Sequence, residues 1–307
     1  MAVVTIQQRE VPEKLFGRLA EYEGSPTSTD DLHQFLAAHG YVLLRGAVDA
    51  EKVLAARGEV MTRLYEVGEV QEPVMGGKVT WCSQRPQPED DGGAFWKSVN
   101  QGPLLREITH GESTREVVGN VLGTPVRPHD LMYLRPMAPG GTTSLHYDYP
   151  FFAGYASTIV TAWIPIGDVP LGDGPLVVVE RSFQFKDLLD PITNIDFQVD
   201  HANKTVQSAA YQASGELHPI DLASQRECRL LSADFRAGDI MIFSGCLMHG
   251  SLDNNSLLGH LRLSCDVRYQ PASDRHDDRR YFGDNPCGSK GGGYADMRGA
   301  RPILNTT

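Results

Sequence analysis

Short apolar runs separated by glycine or proline fill the chain from Val126 onward, and they limit the folds that it can adopt. The runs lie at 130–135, around His146, and at 158–166, 176–179, 240–243 and 262–269. Runs of this length, bounded by turn residues, are typical of β-strands. Strands that follow one another in this way predict an antiparallel barrel or sandwich.

The first part of the chain carries helical spacing instead. Capping residues at Ser28 and Asp49 each precede apolar residues spaced three or four apart, which predicts two helices. A short buried strand at 41–44 separates them, and residues 104–122 are predicted to form one further helix. We therefore expect a mainly β (α+β) fold, in which N-terminal helices flank a β core.

Two histidines and an aspartate form a candidate metal site. His146 and Asp148 are separated by Tyr147, and His249 follows the strand predicted at 240–243. In an extended strand alternate side chains project to the same side, so His146 and Asp148 would face one ion and Tyr147 would point away. Two imidazoles and one carboxylate leave the opposite coordination positions open, a geometry that is typical of non-haem Fe(II) oxygenases.

Residues 262–269 alternate strictly between polar and apolar side chains. The polar set is Arg262, Ser264, Asp266 and Arg268, and the apolar set is Leu263, Cys265, Val267 and Tyr269. This pattern predicts a strand with two different faces. The polar face suits the interior of a pocket, and it equally suits exposure to solvent. In a pocket, the Arg262 guanidinium would bind a dicarboxylate, and Ser264 would add a hydrogen bond.

These motifs resemble the phytanoyl-CoA dioxygenase-like (PhyH) family of Fe(II)/2-oxoglutarate-dependent dioxygenases, and the resemblance covers most of the chain. It rests on residues 40–46, 146–148, 161–165, 174–179, 238–239, 249–251 and 262. The resemblance implies a double-stranded β-helix, which is the cupin-like jelly-roll, with the metal at its mouth.

The resemblance also implies the cofactors and the reaction. The implied iron ligands are His146, Asp148 and His249. The candidate co-substrate contacts are Arg262, Ser264, Trp163, Ser251 and Tyr133, and Arg262 would hold the distal carboxylate of 2-oxoglutarate. The implied enzyme uses Fe(II), O2 and 2-oxoglutarate, hydroxylates an unactivated C–H bond of a small molecule or secondary metabolite, and releases succinate and CO2.

No linker or low-complexity tract divides the 307 residues, so we predict a single domain. Its parts are a helical support at 1–125, a jelly-roll core at 126–270 and an irregular tail at 271–307. An insertion at 181–235 lies between two core strands and is predicted to form a lid over the open end. The tail is expected to wrap on the core, where it could reach the site or a second subunit.

Side chains that follow the core strands are candidates to contact the substrate. They are Tyr149, Phe151, Phe152 and Arg181. A long loop predicted at 70–103 carries Trp81 and Trp96, which either border the substrate or anchor the loop on the core.

Charge and cysteine content limit the partners and the location. A net charge of −11 disfavours nucleic acid and anionic membranes as partners. The five cysteines include no C-x-x-C pair, which favours reduced thiols. Because the chain also shows no signal-peptide pattern and no long apolar run, we expect a cytoplasmic enzyme with a small-molecule substrate. The pattern leaves open whether the protein is a homo-oligomer.

Two other functions are compatible with the residues alone. The same three ligands could hold Zn²⁺ in a hydrolase, and a metal-free jelly-roll could bind a ligand without catalysis. The sequence does not identify the substrate. Desaturation, cyclisation or epimerisation would use the same ligand set as hydroxylation.

Overall fold

The computed structural model describes residues 4–152, 158–193 and 217–305 of the 307-residue chain. Its α-helices are α1 (Thr29–His39), α2 (Ala50–Glu66), α3 (Pro88–Asp91), α4 (Ala94–Asn100), α5 (Pro103–His110), α6 (Glu112–Leu122), α7 (Tyr149–Phe152), α8 (Lys186–Thr193) and α9 (Pro219–Gln225). Its 3-10 helices are Glu13–Leu15, Val74–Gly76, Ser182–Gln184, Gly293–Asp296 and Arg298–Ala300. Among the described helices, none combines the length and the apolar character that crossing a bilayer requires.

Fourteen short strands complete the described secondary structure. They are β1 (Thr5–Ile6), β2 (Arg9–Glu10), β3 (Phe16–Arg18), β4 (Tyr41–Leu44), β5 (Val70–Gln71), β6 (Lys78–Val79), β7 (Val126–Pro128), β8 (Tyr133–Met137), β9 (Val160–Pro165), β10 (Leu176–Val179), β11 (Leu230–Ser232), β12 (Ile240–Ser244), β13 (His249–Ser251) and β14 (Arg262–Pro271).

Two sheets pack face to face and form the centre of the molecule. The larger runs in the order β4-β12-β9-β14-β7, with β8 also paired to β14, and the smaller runs in the order β13-β10-β11-β3. Their strands pair antiparallel, except for β11 with β3. Trp163, Val178 and Met241 come from both sheets and share one buried cluster. The two layers form the antiparallel β core that the strand pattern predicted and the jelly-roll that the family resemblance implied.

Strand alternation explains how each sheet buries both of its faces. In β10, Val178 points between the sheets, whereas Val177 and Val179 join a second cluster on the outer side. In β12, Met241 points between the sheets and Ile242 points outward, into a cluster that includes apolar side chains of α1, α2 and α6. The helices therefore cover the outer face of the larger sheet.

The predicted helix-strand-helix entry is confirmed. Helix α1 ends at Gly40, whose φ of 77° is the left-handed conformation that glycine adopts most easily. Strand β4 follows, fully buried. Helix α2 begins after Asp49, whose carboxylate accepts from the backbone N–H groups of Glu51 and Lys52 at 2.9 and 3.2 Å.

The prediction of one helix over residues 104–122 is wrong. Gly111 divides the segment into α5 and α6, because its backbone is extended, with φ −63° and ψ 165°. A Cβ atom at this position would lie 2.1 Å from the Glu107 carbonyl oxygen. Only glycine fits this close approach, and apolar periodicity alone gave no sign of the break.

Strands β3 and β11 were not predicted from the sequence. Strand β11 lies inside the stretch assigned to the lid, and its pairing with β3 adds an N-terminal segment to the smaller sheet. The rest of that stretch includes α8 and α9, whose Leu189 and Leu222 pack on the outer side of the same sheet. The aromatic and histidine side chains Phe197, His201 and Tyr211 of the insertion lie outside the described residues.

Residues 70–103, predicted as a long loop, contain β5, β6, α3 and α4. Trp96 is completely buried in the core, whereas Trp81 is 37% exposed. Trp96 thus anchors this segment. Neither tryptophan lines the cavities that are described below.

The tail after β14 is irregular, but buried contacts hold it in place. Arg85 and Glu69 form an ion pair at 2.7 Å with both side chains fully buried. Arg85 also donates to the carbonyl oxygens of Gly299 and Arg301, and Glu69 accepts from the Ile303 N–H. Gly299 packs so closely on Trp96 that a Cβ atom would lie 2.2 Å from the ring. The tail is therefore an integral part of the fold.

Asp49→Ala should lower the free energy of unfolding by about 1 kcal/mol, because it removes both side-chain hydrogen bonds that cap α2. Urea denaturation measures this loss. Ser28→Ala is the matched control, since the Ser28 side chain makes no cap hydrogen bond to the backbone of α1. Equal losses in the two variants would contradict the assignment of Asp49 as the cap.

Candidate metal centre

His146, Asp148 and His249 come together at one end of the space between the sheets. Their candidate ligand atoms all lie within 4.8 Å of one another. His146 Nε2 is 3.7 Å from one Asp148 carboxylate oxygen, and His249 Nε2 is 3.9 Å from the other. The residues predicted from the sequence to share an ion are thus neighbours in space.

The backbone around His146 differs in detail from the predicted strand. His146 forms an isolated antiparallel bridge with His249, in which each N–H donates to the other carbonyl at 2.8 and 3.0 Å. The chain then bends at Asp148 and enters α7. The alternation still holds, because Tyr147 points to the opposite side, where its hydroxyl donates to the Ser182 carbonyl at 2.9 Å.

Both histidines present a free Nε2 lone pair to the cluster. Nδ1 of His146 lies 2.9 Å from the Ser144 carbonyl, and Nδ1 of His249 lies 2.9 Å from the Leu247 carbonyl. A carbonyl only accepts, so Nδ1 carries the proton and Nε2 does not. Burial lowers the pKa of His146 to about 3 and also lowers the pKa of His249. Both rings are therefore neutral at pH 7.

Asp148 is held by two donors from the larger sheet. Nη2 of Arg268 donates to both carboxylate oxygens at 2.7 Å, and the Thr161 hydroxyl donates to one of them at 2.6 Å. Burial acts to raise the pKa of Asp148, but the Arg268 charge, the two histidines and the Thr161 hydrogen bond together outweigh burial and hold this pKa well below its ordinary value. The carboxylate is ionised. Two neutral imidazoles and one carboxylate on one side fit a divalent transition-metal ion with open positions.

A small recess beside the three side chains contains Arg262. The recess is lined by Arg135, Thr143, His146, Trp163, Leu176, His249, Gly250, Ser251, Arg262 and Asp266. The Arg262 side chain donates to the Gly174 carbonyl, the Ser264 hydroxyl and the Met137 sulfur. Burial lowers the pKa of Arg262 to about 9, so it stays a cation at pH 7. Trp163, Ser251 and Arg262 thus share one recess, and Ser264 supports Arg262.

The polar face of β14 lies between the sheets and is not exposed. Arg262, Ser264, Asp266 and Arg268 are all buried there. The alternate residues, among them Leu263 and Val267, join the outer cluster under the helices. The alternation allowed this polar face to line a pocket or to be exposed to solvent, and the structure shows that it lines a pocket.

A larger cavity of about 490 Å³ opens on the other side of His146. Tyr133, Phe151 and Phe152 line it, so Tyr133 lies in this cavity and not in the Arg262 recess. Two further candidates for substrate contact, Arg181 and Tyr149, do not line this cavity. Arg181 instead donates to the Glu227 carbonyl at 3.3 Å.

Sequence reasoning missed two sets of residues at the site. The tail supplies part of the cavity wall, including Ser289, Met297 and Arg298. The sequence indicated that the tail could reach the site, but it identified none of these residues. The alternation of residues 262–269 placed Arg268 on the correct face of its strand. It could not predict that Arg268 forms an ion pair with Asp148.

Comparisons with known proteins agree with this geometry. A family model described as phytanoyl-CoA dioxygenase (PhyH) matches residues 36–257. The 1-deoxypentalenic acid 11-beta-hydroxylase of Streptomyces exfoliatus is 27% identical over 266 residues, which cover 83% of this chain and 87% of that protein.

Two solved structures share the fold. The epimerase SnoN, crystallised with Fe³⁺, alpha ketoglutarate and nogalamycin RO, matches with a TM-score of 0.53 at 20% identity, over 85% of this chain and 88% of SnoN. EctD from S. alaskensis in its apoform also matches with a TM-score of 0.53, at 16% identity, over 96% of this chain and 97% of EctD.

His146→Ala and His249→Ala should each weaken the binding of Ni²⁺ or anaerobic Fe²⁺ by more than about 100-fold, because each removes one of three ligands. Isothermal titration calorimetry measures the change. His33→Ala is the control, since His33 is an exposed residue of α1. Unchanged metal affinity in either site variant would exclude this cluster as the metal centre.

Arg268→Met should lower the free energy of unfolding of the metal-free protein by about 3–5 kcal/mol, because Asp148 would be left as an unpaired buried charge. Added Ni²⁺ should recover part of this loss by taking the place of the guanidinium as the compensating charge. Arg229→Met, which removes a solvent-accessible pair whose Arg229 side chain is 50% exposed and whose Glu180 side chain is 23% exposed, should cost less than about 1 kcal/mol. Similar losses in both variants, measured by urea denaturation, would contradict the pairing.

Proposed function

Because the chain belongs to the phytanoyl-CoA dioxygenase (PhyH) family, we propose that it hydroxylates a C–H bond of a small organic molecule. It is an Fe(II)- and 2-oxoglutarate-dependent oxygenase. The observation that carries the proposal is the position of Arg262, a buried cation, in a recess that also reaches both histidines of the candidate metal centre.

Each residue of the centre has a proposed task. His146, Asp148 and His249 would hold Fe(II), and with O2 and 2-oxoglutarate this ion supplies the oxidation of the C–H bond while 2-oxoglutarate becomes succinate and CO2. Backbone carbonyls fix the tautomers of both imidazoles. Thr161 and Arg268 hold the Asp148 carboxylate in one orientation, which would keep it from rotating away from the ion.

Arg262 is proposed to bind the distal carboxylate of 2-oxoglutarate. In the part of the chain that the structure describes, its hydrogen-bond acceptors are a carbonyl, a hydroxyl and a thioether sulfur. A buried guanidinium without a carboxylate partner is strongly stabilised when an anion arrives. Trp163 and Ser251 line the same recess, and we propose that they contact the co-substrate there.

The larger cavity is proposed to hold the substrate. Its volume suits a small organic molecule, and Phe151 and Phe152 would contact an apolar part of it. The 1-deoxypentalenic acid 11-beta-hydroxylase relative supports a substrate of this size. Tyr133 also lines this cavity and does not line the recess that is proposed for the co-substrate. The predicted contact of Tyr133 with the co-substrate therefore stays a prediction.

The proposal extends to the setting of the enzyme. We propose a cytoplasmic enzyme that acts without nucleic-acid or membrane partners. The net charge of −11 supports the absence of such partners, and the five cysteines, all of them free, support a reducing location. Whether the protein is a homo-oligomer stays open, and the single-domain organisation stays a prediction.

The test is the consumption of 2-oxoglutarate by protein loaded with Fe(II). Succinate should form slowly in the presence of O2 even without the substrate, and Arg262→Met should raise the KM for 2-oxoglutarate by about 10- to 100-fold, because a charge-assisted contact is lost. Arg127→Met, an exposed arginine on the neighbouring strand β7, is the control.

Two outcomes would contradict the proposal. Zinc retention without any 2-oxoglutarate turnover would favour the hydrolase alternative. An unchanged KM for 2-oxoglutarate in Arg262→Met would show that the co-substrate does not bind in the recess, even if succinate forms.

A further inference from the structure

Charged side chains line both cavities that meet at His146, and cations outnumber acids. The cations are Arg135, Arg262, Arg268, Lys290 and Arg298, and the acids are Asp148, Asp266 and Asp296. The chain as a whole carries a net charge of −11, so the positive excess is a local property of the site. Concave walls with an excess of one sign concentrate ligands of the other sign.

The metal ion and co-substrate of the proposed reaction leave this excess in place. Fe(II) brings two positive charges and 2-oxoglutarate brings two negative charges, so together they are neutral. Arg268 is paired with Asp148, and Arg135 is paired with Asp266. Once Arg262 holds the co-substrate, the charged side chains left over are those of the tail wall of the large cavity, where Lys290 and Arg298 face one acid, Asp296.

Arg298 is an exposed residue of this wall of the cavity. Its Nη1 donates to the Thr142 carbonyl at 2.6 Å. Among the described residues, no carboxylate forms an ion pair with Arg298, and partial burial and the like charge of Arg135 both lower the pKa of its guanidinium. A guanidinium beside a second guanidinium is stabilised by an anion that reaches it.

The backbone that carries Arg298 is firmly positioned. Arg298 begins a 3-10 helix that contains Gly299, and Arg85 holds the Gly299 carbonyl at 2.9 Å. Next to it, Met297 is buried and lines the same cavity. The cavity therefore presents a cationic side chain on an anchored part of the tail and an apolar wall that includes Phe151 and Phe152.

We propose that the substrate carries a carboxylate, which Arg298 binds, and an apolar body, which packs on Met297, Phe151 and Phe152. This inference rests on the proposed function and names its substrate class. The planar donor pair of a guanidinium matches a carboxylate in geometry. Because Arg298 and His146 line one cavity, the carboxylate would anchor one end of the substrate while a carbon of the apolar body faces the metal centre.

The experiment measures binding without turnover. Protein loaded with Ni²⁺ and 2-oxoglutarate is titrated calorimetrically with a panel of apolar acids of 8 to 16 carbons, decanoic acid and 1-adamantanecarboxylic acid among them, and with their methyl esters. At least one acid should bind about tenfold or more tightly than its ester. Arg298→Gln should abolish this preference, and Arg298→Lys should retain part of it. Arg301→Gln, an exposed arginine of the same tail, should leave the preference unchanged.

Three results would overturn the inference: failure of every acid to bind, equal binding of acid and ester by the unmodified protein, or an intact preference in Arg298→Gln. Tighter binding of decyl phosphate than of decanoate would also overturn the choice of a carboxylate. The same titrations report the affinity for 2-oxoglutarate, so a failure of this inference can be distinguished from a failure of the proposed function. If the protein binds 2-oxoglutarate but does not prefer acids, only this inference fails. If it does not bind 2-oxoglutarate, the proposed function fails.

Discussion

The pairing of Asp148 with Arg268 is the interaction on which the interior of this protein depends. A carboxylate buried between two sheets is costly unless a positive charge and hydrogen bonds compensate it, and here the guanidinium and the Thr161 hydroxyl do so. With that compensation, the ionised oxygen ligand can lie next to two neutral imidazoles. The same strand also supplies Arg262, so β14 provides both the support for the centre and the proposed co-substrate site.

One part of the space between the sheets stabilises the fold, and another part forms the candidate site. Apolar side chains, among them Trp163 and Phe243, fill one part of this space up to the metal centre and stabilise the two layers. Polar side chains of β14 line the remaining part, where the cavities lie. Because the outer faces of both sheets are packed against separate apolar clusters, the fold does not rely on the interior alone. We infer that this double packing allows one end of the jelly-roll to remain open.

Local patterns in the sequence predicted most of what they could encode. Strand alternation gave the two faces of β14, a capping residue gave the start of α2, and the spacing of His146 and Asp148 gave their common direction. The features that the sequence analysis missed depend on contacts between segments that lie far apart in the chain or on a single close approach of the backbone. Strand β11 is short and gains its place by pairing with β3, far away in the chain. The break at Gly111 depends on one close backbone approach, and the tail is held by Arg85 and Trp96, which no periodicity connects with it.

The anchored tail has a consequence for the order in which the site is assembled. Residues 288–298 follow every strand of both sheets in the chain, yet they form one wall of the large cavity. During synthesis on the ribosome, the metal ligands and the complete jelly-roll are translated before this wall. A partly made chain could therefore acquire its ion before it could enclose an organic ligand.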